Sequence, residues 1–132
     1  NNYHQISRKI GSKIDINITD LINYKDTHLI DYLLDMIFKH GVILVESNAI
    51  LNNTELVELG SLLGIVLPLP FDNTLHGGYI TRVSNIDMNN PNITRISNFG
   101  EDWHNDGDFR QNNRIINILQ CHIPTDYNGY TG

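Results

Sequence analysis

Apolar and polar residues alternate along residues 13–19, where Ile14, Ile16 and Ile18 are separated by polar neighbours. That period of two predicts a half-buried strand. The period then changes. Leu29, Ile30, Leu33, Leu34, Ile37 and Phe38 recur at helical spacing and predict a helix over about Thr27–His40, with Asp26 or Thr27 as its N-terminal cap and Gly41 where it stops. The β-branched run "VILVE", residues 42–46, predicts a short buried strand. A second helix is expected over about residues 54–63, capped by Asn53 or Thr54 and ended by Gly64.

Downstream, "PLPFDNTLHGG" reads as irregular because of its Pro and Gly content. "YITRVS" (residues 79–84) and "NITRIS" (92–97) alternate as strands and are joined by an Asn-rich connection, either a hairpin or something longer. "RIINILQCHI" (114–123) is another strand candidate, ended by Pro124 and a turn-rich tail. Strand, helix, strand, helix and then several strands describe an α+β chain whose second half turns into a sandwich or barrel.

Composition narrows the function classes. A chain of 132 residues is one domain or part of a larger one, and 40 % hydrophobic content suffices for a core. The formal charge of −6, with scattered Lys and Arg, argues against a nucleic-acid partner. No apolar run approaches membrane-spanning length and no signal-peptide pattern opens the chain, so no membrane partner is expected. The single cysteine, Cys121, precludes an internal disulfide and fits a reducing, cytoplasmic setting. The chain opens on "NNYH" without an initiator Met, which suggests a piece of something longer.

The densest chemistry lies in "GEDWHNDGDF", residues 100–109. In an extended segment residues two apart share a face, so His104 and Asp106 can reach one point while Trp103 turns the other way into packing. An imidazole nitrogen and a carboxylate oxygen are two of the three ligands of the facial triad that binds non-haem Fe(II). With six histidines and eleven aspartates, roughly one His-x-Asp pair per two chains of this composition arises by chance, so the bare motif carries little. Asp102 and Asp108 read as loop carboxylates.

The surroundings of the motif carry more. "DWHNDGDF" resembles the W-H-x-D-x-x-F block of the taurine dioxygenase family of Fe(II)/2-oxoglutarate-dependent oxygenases. "HGVILVE", the helix "TELVELGSLLG" leading into "PLP", and "IINILQCHIPTDYNGYTG" resemble, in order and spacing, other parts of the same family across roughly residues 40–132. The resemblance implies a double-stranded β-helix (jelly-roll) core with flanking N-terminal helices. It implies Fe(II) as metal and 2-oxoglutarate as co-substrate, with hydroxylation of a small-molecule substrate coupled to oxidative decarboxylation. It also implies that His104 and Asp106 ligate iron, and that Thr131, from a Gly-Gly-x-Thr turn, binds the distal carboxylate of 2-oxoglutarate. Here Asn128 stands at the first glycine of that turn, a residue that tolerates left-handed backbone.

Other histidines divide less sharply. His76, with Gly77, Gly78 and Tyr79, falls where the family's substrate-contacting residues often lie; substrate contact by His76 and Tyr79 and a plain mobile loop are evenly matched. His122 is expected on a sheet surface rather than as the third ligand, and His4, His28 and His40 are expected to be peripheral. Cys121 is expected as a packed or partly buried thiol.

The resemblance also implies a second metal histidine and a 2-oxoglutarate-pairing arginine more than a hundred residues after the motif, yet residue 132 follows Asp106 by only 26 positions. The expectation is therefore that residues 1–132 form a single domain that is the N-terminal part of such an oxygenase. Two alternatives stay open: a non-catalytic jelly-roll remnant serving as a binding module, and a subunit completed by a second chain. Homo-oligomerisation and substrate identity are not legible in the sequence.

Overall fold

A computed structural model describes residues 3–5, 10–47, 49–69, 74–84 and 115–123 of the chain. They belong to two compact units, Asn1–Val66 with Gln120–Gly132, and Leu67–Leu119.

The first unit holds three short strands and three helices. Strand β1 (Tyr3–Gln5) runs antiparallel to β2 (Ser12–Ile14), pairing Tyr3 with Ile14 and Gln5 with Ser12. β2 in turn runs parallel to β3 (Ile43–Val45), pairing Ser12 with Ile43 and Ile14 with Val45. Parallel neighbours need a crossover, and two helices supply it: α1 (Ile18–Tyr24) and α2 (Thr27–His40). In β2 the pleat turns Ser12 and Ile14 into the core and leaves Lys13 half-buried, where its Nζ meets Glu46 Oε2 at 2.7 Å.

α1 corrects the strand expected over residues 13–19, which stops at Ile14. Asn17 takes extended backbone angles, and its Oδ1 accepts from the N–H groups of Thr19 (3.1 Å) and Asp20 (3.3 Å). That cap satisfies two of the donors a helix start leaves open. Ile18, Leu21 and Ile22 then lie on one helical face, and all three are buried. Lys25 ends the helix in the left-handed conformation at φ 50°, with its N–H on Leu21 O at 2.9 Å. Its side chain reaches Glu58 of α3 (Asn53–Leu63) at 3.0 Å.

α2 matches the expected range, cap and stop. Asp26 Oδ1 accepts from His28 N (2.9 Å) and Leu29 N (3.3 Å), and Gly41 N donates to Ile37 O at 2.8 Å. Leu33 and Met36 are buried, with Leu29, Ile30 and Ile37 packed beside them. Phe38 departs from the expected face and is 67 % exposed. At about 100° per residue, nine positions carry it half a turn away from Leu29.

β3 is half-buried rather than buried: Ile43 and Val45 pack on the core while Leu44 is 47 % exposed. α3 begins one residue before its expected start, because Asn52 and Glu55 form a reciprocal capping box, and it ends at Gly64 as expected. Ile14, Ile18, Leu21, Ile22, Leu33, Met36, Leu51 and Leu59 make one core shared by the sheet and all three helices.

Two expected strands are not formed among the described residues. In 79–84, Ile80 forms an isolated antiparallel bridge with Leu75, because three successive positive φ angles at His76, Gly77 and Gly78 fold the chain straight back. Residues 115–123 carry no ladder, and Ile115, Leu119 and Ile123 are exposed. The expected strand 92–97 lies outside the described residues. The described part is thus α+β, with three α-helices and a three-stranded mixed sheet. No helix among the described residues is long and apolar enough to cross a membrane.

Candidate functional site

Of the five residues singled out for iron, co-substrate or substrate, the structure describes two. His76 and Tyr79 sit in the second unit on a tight loop closed by Leu75 and Ile80. Leu75 N donates to Ile80 O at 2.7 Å, and Ile80 N and Gly78 N both donate to Leu75 O at 3.2 Å. Leu69 N adds a bond to Gly78 O at 2.7 Å, tying the loop to the segment before it.

Within this clasp the backbone is left-handed at three consecutive positions: His76 (φ 48°), Gly77 (69°) and Gly78 (94°). Glycine adopts such angles without a Cβ penalty, whereas His76 is a side-chain-bearing residue in a region such residues visit sparsely. The Tyr79 ring lies along Gly77, its Cε2 3.7 Å from where a Cβ there would stand. Both His76 and Tyr79 are exposed, Tyr79 at 41 %. The loop therefore presents an imidazole and a phenol to solvent from a short, hydrogen-bonded base, and either group can donate or accept a hydrogen bond.

His104, Asp106 and Thr131 lie outside the described residues, as do Asp102, Trp103 and Asp108. Among the described residues, no group of three or more His, Cys, Asp or Glu side chains is placed to hold a metal ion.

The remaining candidates are placed in the first unit. His122 is exposed, and its Nε2 lies 3.1 Å from Gln120 Nε2. That contact engages one of the two ring nitrogens through which a histidine can ligate a metal. Cys121 is exposed, which corrects the packed thiol expected from a strand alternation that does not form there. His28 is exposed, as expected of a peripheral residue, and His40 is partly buried in the last turn of α2.

One feature was not anticipated from the sequence. A cleft of about 390 Å³ opens beyond the carboxyl ends of the parallel pair β2 and β3, lined by Asp15, Asn17, Asp20, Glu46 and Ser47 among others. The capping pattern of Asn17 with Asp20 three residues on was the available signal for the helix that forms one wall. Glu46 is already engaged by Lys13, and Ser47 Oγ donates to Ala49 O at 2.8 Å.

Comparison with curated proteins and with solved structures gives no match for this chain. Comparison with protein families does. The family described as "Taurine catabolism dioxygenase TauD, TfdA family" matches residues 2–132, a span that includes the His104-x-Asp106 motif and Thr131. On that coverage the chain belongs to the TauD/TfdA family of dioxygenases.

Proposed function

We propose that the protein is an Fe(II)- and 2-oxoglutarate-dependent dioxygenase that hydroxylates a small organic molecule, on a double-stranded β-helix of which residues 1–132 are the N-terminal part. The observation that carries this reading is the family match over residues 2–132, which embeds His104 and Asp106 in the block "DWHNDGDF".

His104 and Asp106 are the chain's two iron ligands in this reading. A neutral imidazole and an ionised carboxylate are the donor types of the two-histidine, one-carboxylate triad, which leaves positions open on the metal. Bound there, iron supplies the dioxygen activation and redox chemistry that amino-acid side chains lack. The protein's part is to orient and to exclude water. Thr131 donates its hydroxyl hydrogen to the distal carboxylate of 2-oxoglutarate, a charge-assisted bond that fixes the co-substrate's far end. His76 and Tyr79, held outward on the Leu75–Ile80 clasp, are the candidates for substrate contact. A cytoplasmic location is part of the same proposal, and the lone Cys121 fits a reducing compartment. Homo-oligomerisation or completion by another chain is compatible with it.

The test is Fe(II)-dependent decarboxylation of 2-oxoglutarate by the full-length protein. His104→Ala and Asp106→Ala each abolish it on this reading. Wild-type rates in both variants would sink the assignment.

A further inference from the structure

Gln120 and Leu51 make a two-point contact across 69 positions of chain: Leu51 N–H donates to Gln120 Oε1 at 2.9 Å, and Gln120 Nε2 donates to Leu51 O at 2.9 Å. The orientation of a side-chain amide is ordinarily ambiguous, since its O and N look alike. Here the backbone removes the ambiguity. A peptide N–H can only donate and a carbonyl can only accept, so Oε1 must face Leu51 N and Nε2 must face Leu51 O.

The consequence passes to His122. Gln120 Nε2 also lies 3.1 Å from His122 Nε2. An amide nitrogen has two hydrogens and no acceptor capacity. One hydrogen goes to Leu51 O, which leaves the other for the imidazole nitrogen 3.1 Å away. For that contact to be a hydrogen bond, His122 Nε2 must be the acceptor, which places the ring proton on Nδ1. A proton on Nε2 would instead set two donors against each other.

We propose that Gln120 is a two-sided clasp, holding the backbone of Leu51 with one face of its amide and fixing His122 as the Nδ1-protonated tautomer with the other. Leu51 is buried and immediately precedes Asn52, the cap of α3. Gln120 is therefore a positioning residue that joins a distant stretch of chain to the start of that helix. His122 is a group that donates from Nδ1 and has its Nε2 lone pair occupied, so it does not ligate a metal through Nε2. This inference stands on the geometry of three residues and is independent of the proposed oxygenase activity.

The experiment is nitrogen-15 NMR of the imidazole rings in the full-length protein, above the usual histidine titration range of about 6.5. His122 is assigned by its loss in a His122→Asn variant. The expected result is a protonated Nδ1 and an acceptor-type Nε2 for His122 in the wild type. In Gln120→Leu the expected result is a shift of that ring toward the Nε2-protonated form, with faster hydrogen exchange at the Leu51 amide. Should Gln120→Leu fail to fold, the wild-type spectrum still decides. An Nε2-protonated His122 in the wild type, or an unchanged tautomer in a folded Gln120→Leu protein, overturns the proposal.

Discussion

Asn52 and Glu55 cap each other at the start of α3. Glu55 N donates to Asn52 Oδ1 at 3.0 Å, and Asn52 N donates to Glu55 Oε2 at 2.8 Å. This reciprocal pair decides which of two adjacent asparagines begins the helix, because a capping box requires the carboxylate three residues after the cap.

Asn52→Ala is accordingly expected to lower stability by about 1 kcal/mol. Asn53→Ala, at the first helical position, changes it by less than about 0.5 kcal/mol. Paired denaturant melts compare the two, and equal losses would remove the capping assignment.

The helix α1 gives a second contrast. Leu21 is fully buried at 0 % exposure, and Tyr24, three residues on, is 77 % exposed. Leu21→Ala leaves a cavity in the core and is expected to cost about 2–5 kcal/mol, while Tyr24→Ala stays within about 0.5 kcal/mol. Adjacent Leu21 and Ile22 are both buried, whereas a half-buried strand would turn successive residues to opposite faces. Equal losses in thermal melts of the two variants would contradict the core placement of Leu21.

Glycine at the ends of α2 and α3 serves different ends. Gly41 has φ 73°, whereas Gly64 has φ 162°, which is extended backbone, and a Cβ at Gly64 would meet nothing within 4 Å. Gly41→Ala is expected to cost about 1–2 kcal/mol from left-handed strain, and Gly64→Ala to be tolerated. A Gly41→Ala melt identical to the wild type would contradict the backbone account.

Much of this was legible in the chain, and the misses have physical causes. α2 announced itself through a long helical period between Asp26 and Gly41, and the structure keeps both limits. α1 was hidden because Ile14, Ile16 and Ile18 satisfy the strand period while Ile18, Leu21 and Ile22 satisfy the helix period, and Ile18 belongs to both. The cap at Asn17 settles the overlap, and its signal, an Asn with Asp20 three residues later, was present. Residues 79–84 alternate like a strand, but pairing is decided by the turn that precedes them, where His76 takes an angle its residue type rarely adopts. For the candidate site, His104, Asp106 and Thr131 are named by motif and lie outside the described residues.

Thr131 carries the co-substrate part of the proposal. A hydroxyl bonded to a carboxylate is worth about 1.5–3 kcal/mol, so Thr131→Ala should raise the KM for 2-oxoglutarate roughly 10- to 100-fold. Thr131→Ser, which keeps the hydroxyl, should remain near the wild type. Steady-state decarboxylation at varied 2-oxoglutarate separates the two, and an unchanged KM in Thr131→Ala removes that residue from the site.

The central claim is that His104 and Asp106 hold a catalytic iron, and metal binding tests it without needing to know the substrate. Anaerobic calorimetric titration of Fe(II) into the full-length protein, with 2-oxoglutarate present, should show one site per chain. Binding should be lost or weakened at least tenfold in His104→Ala and in Asp106→Ala, while both variants keep the wild-type melting profile without metal. Wild-type Fe(II) affinity in both variants, or no binding by the wild type itself, would contradict the account.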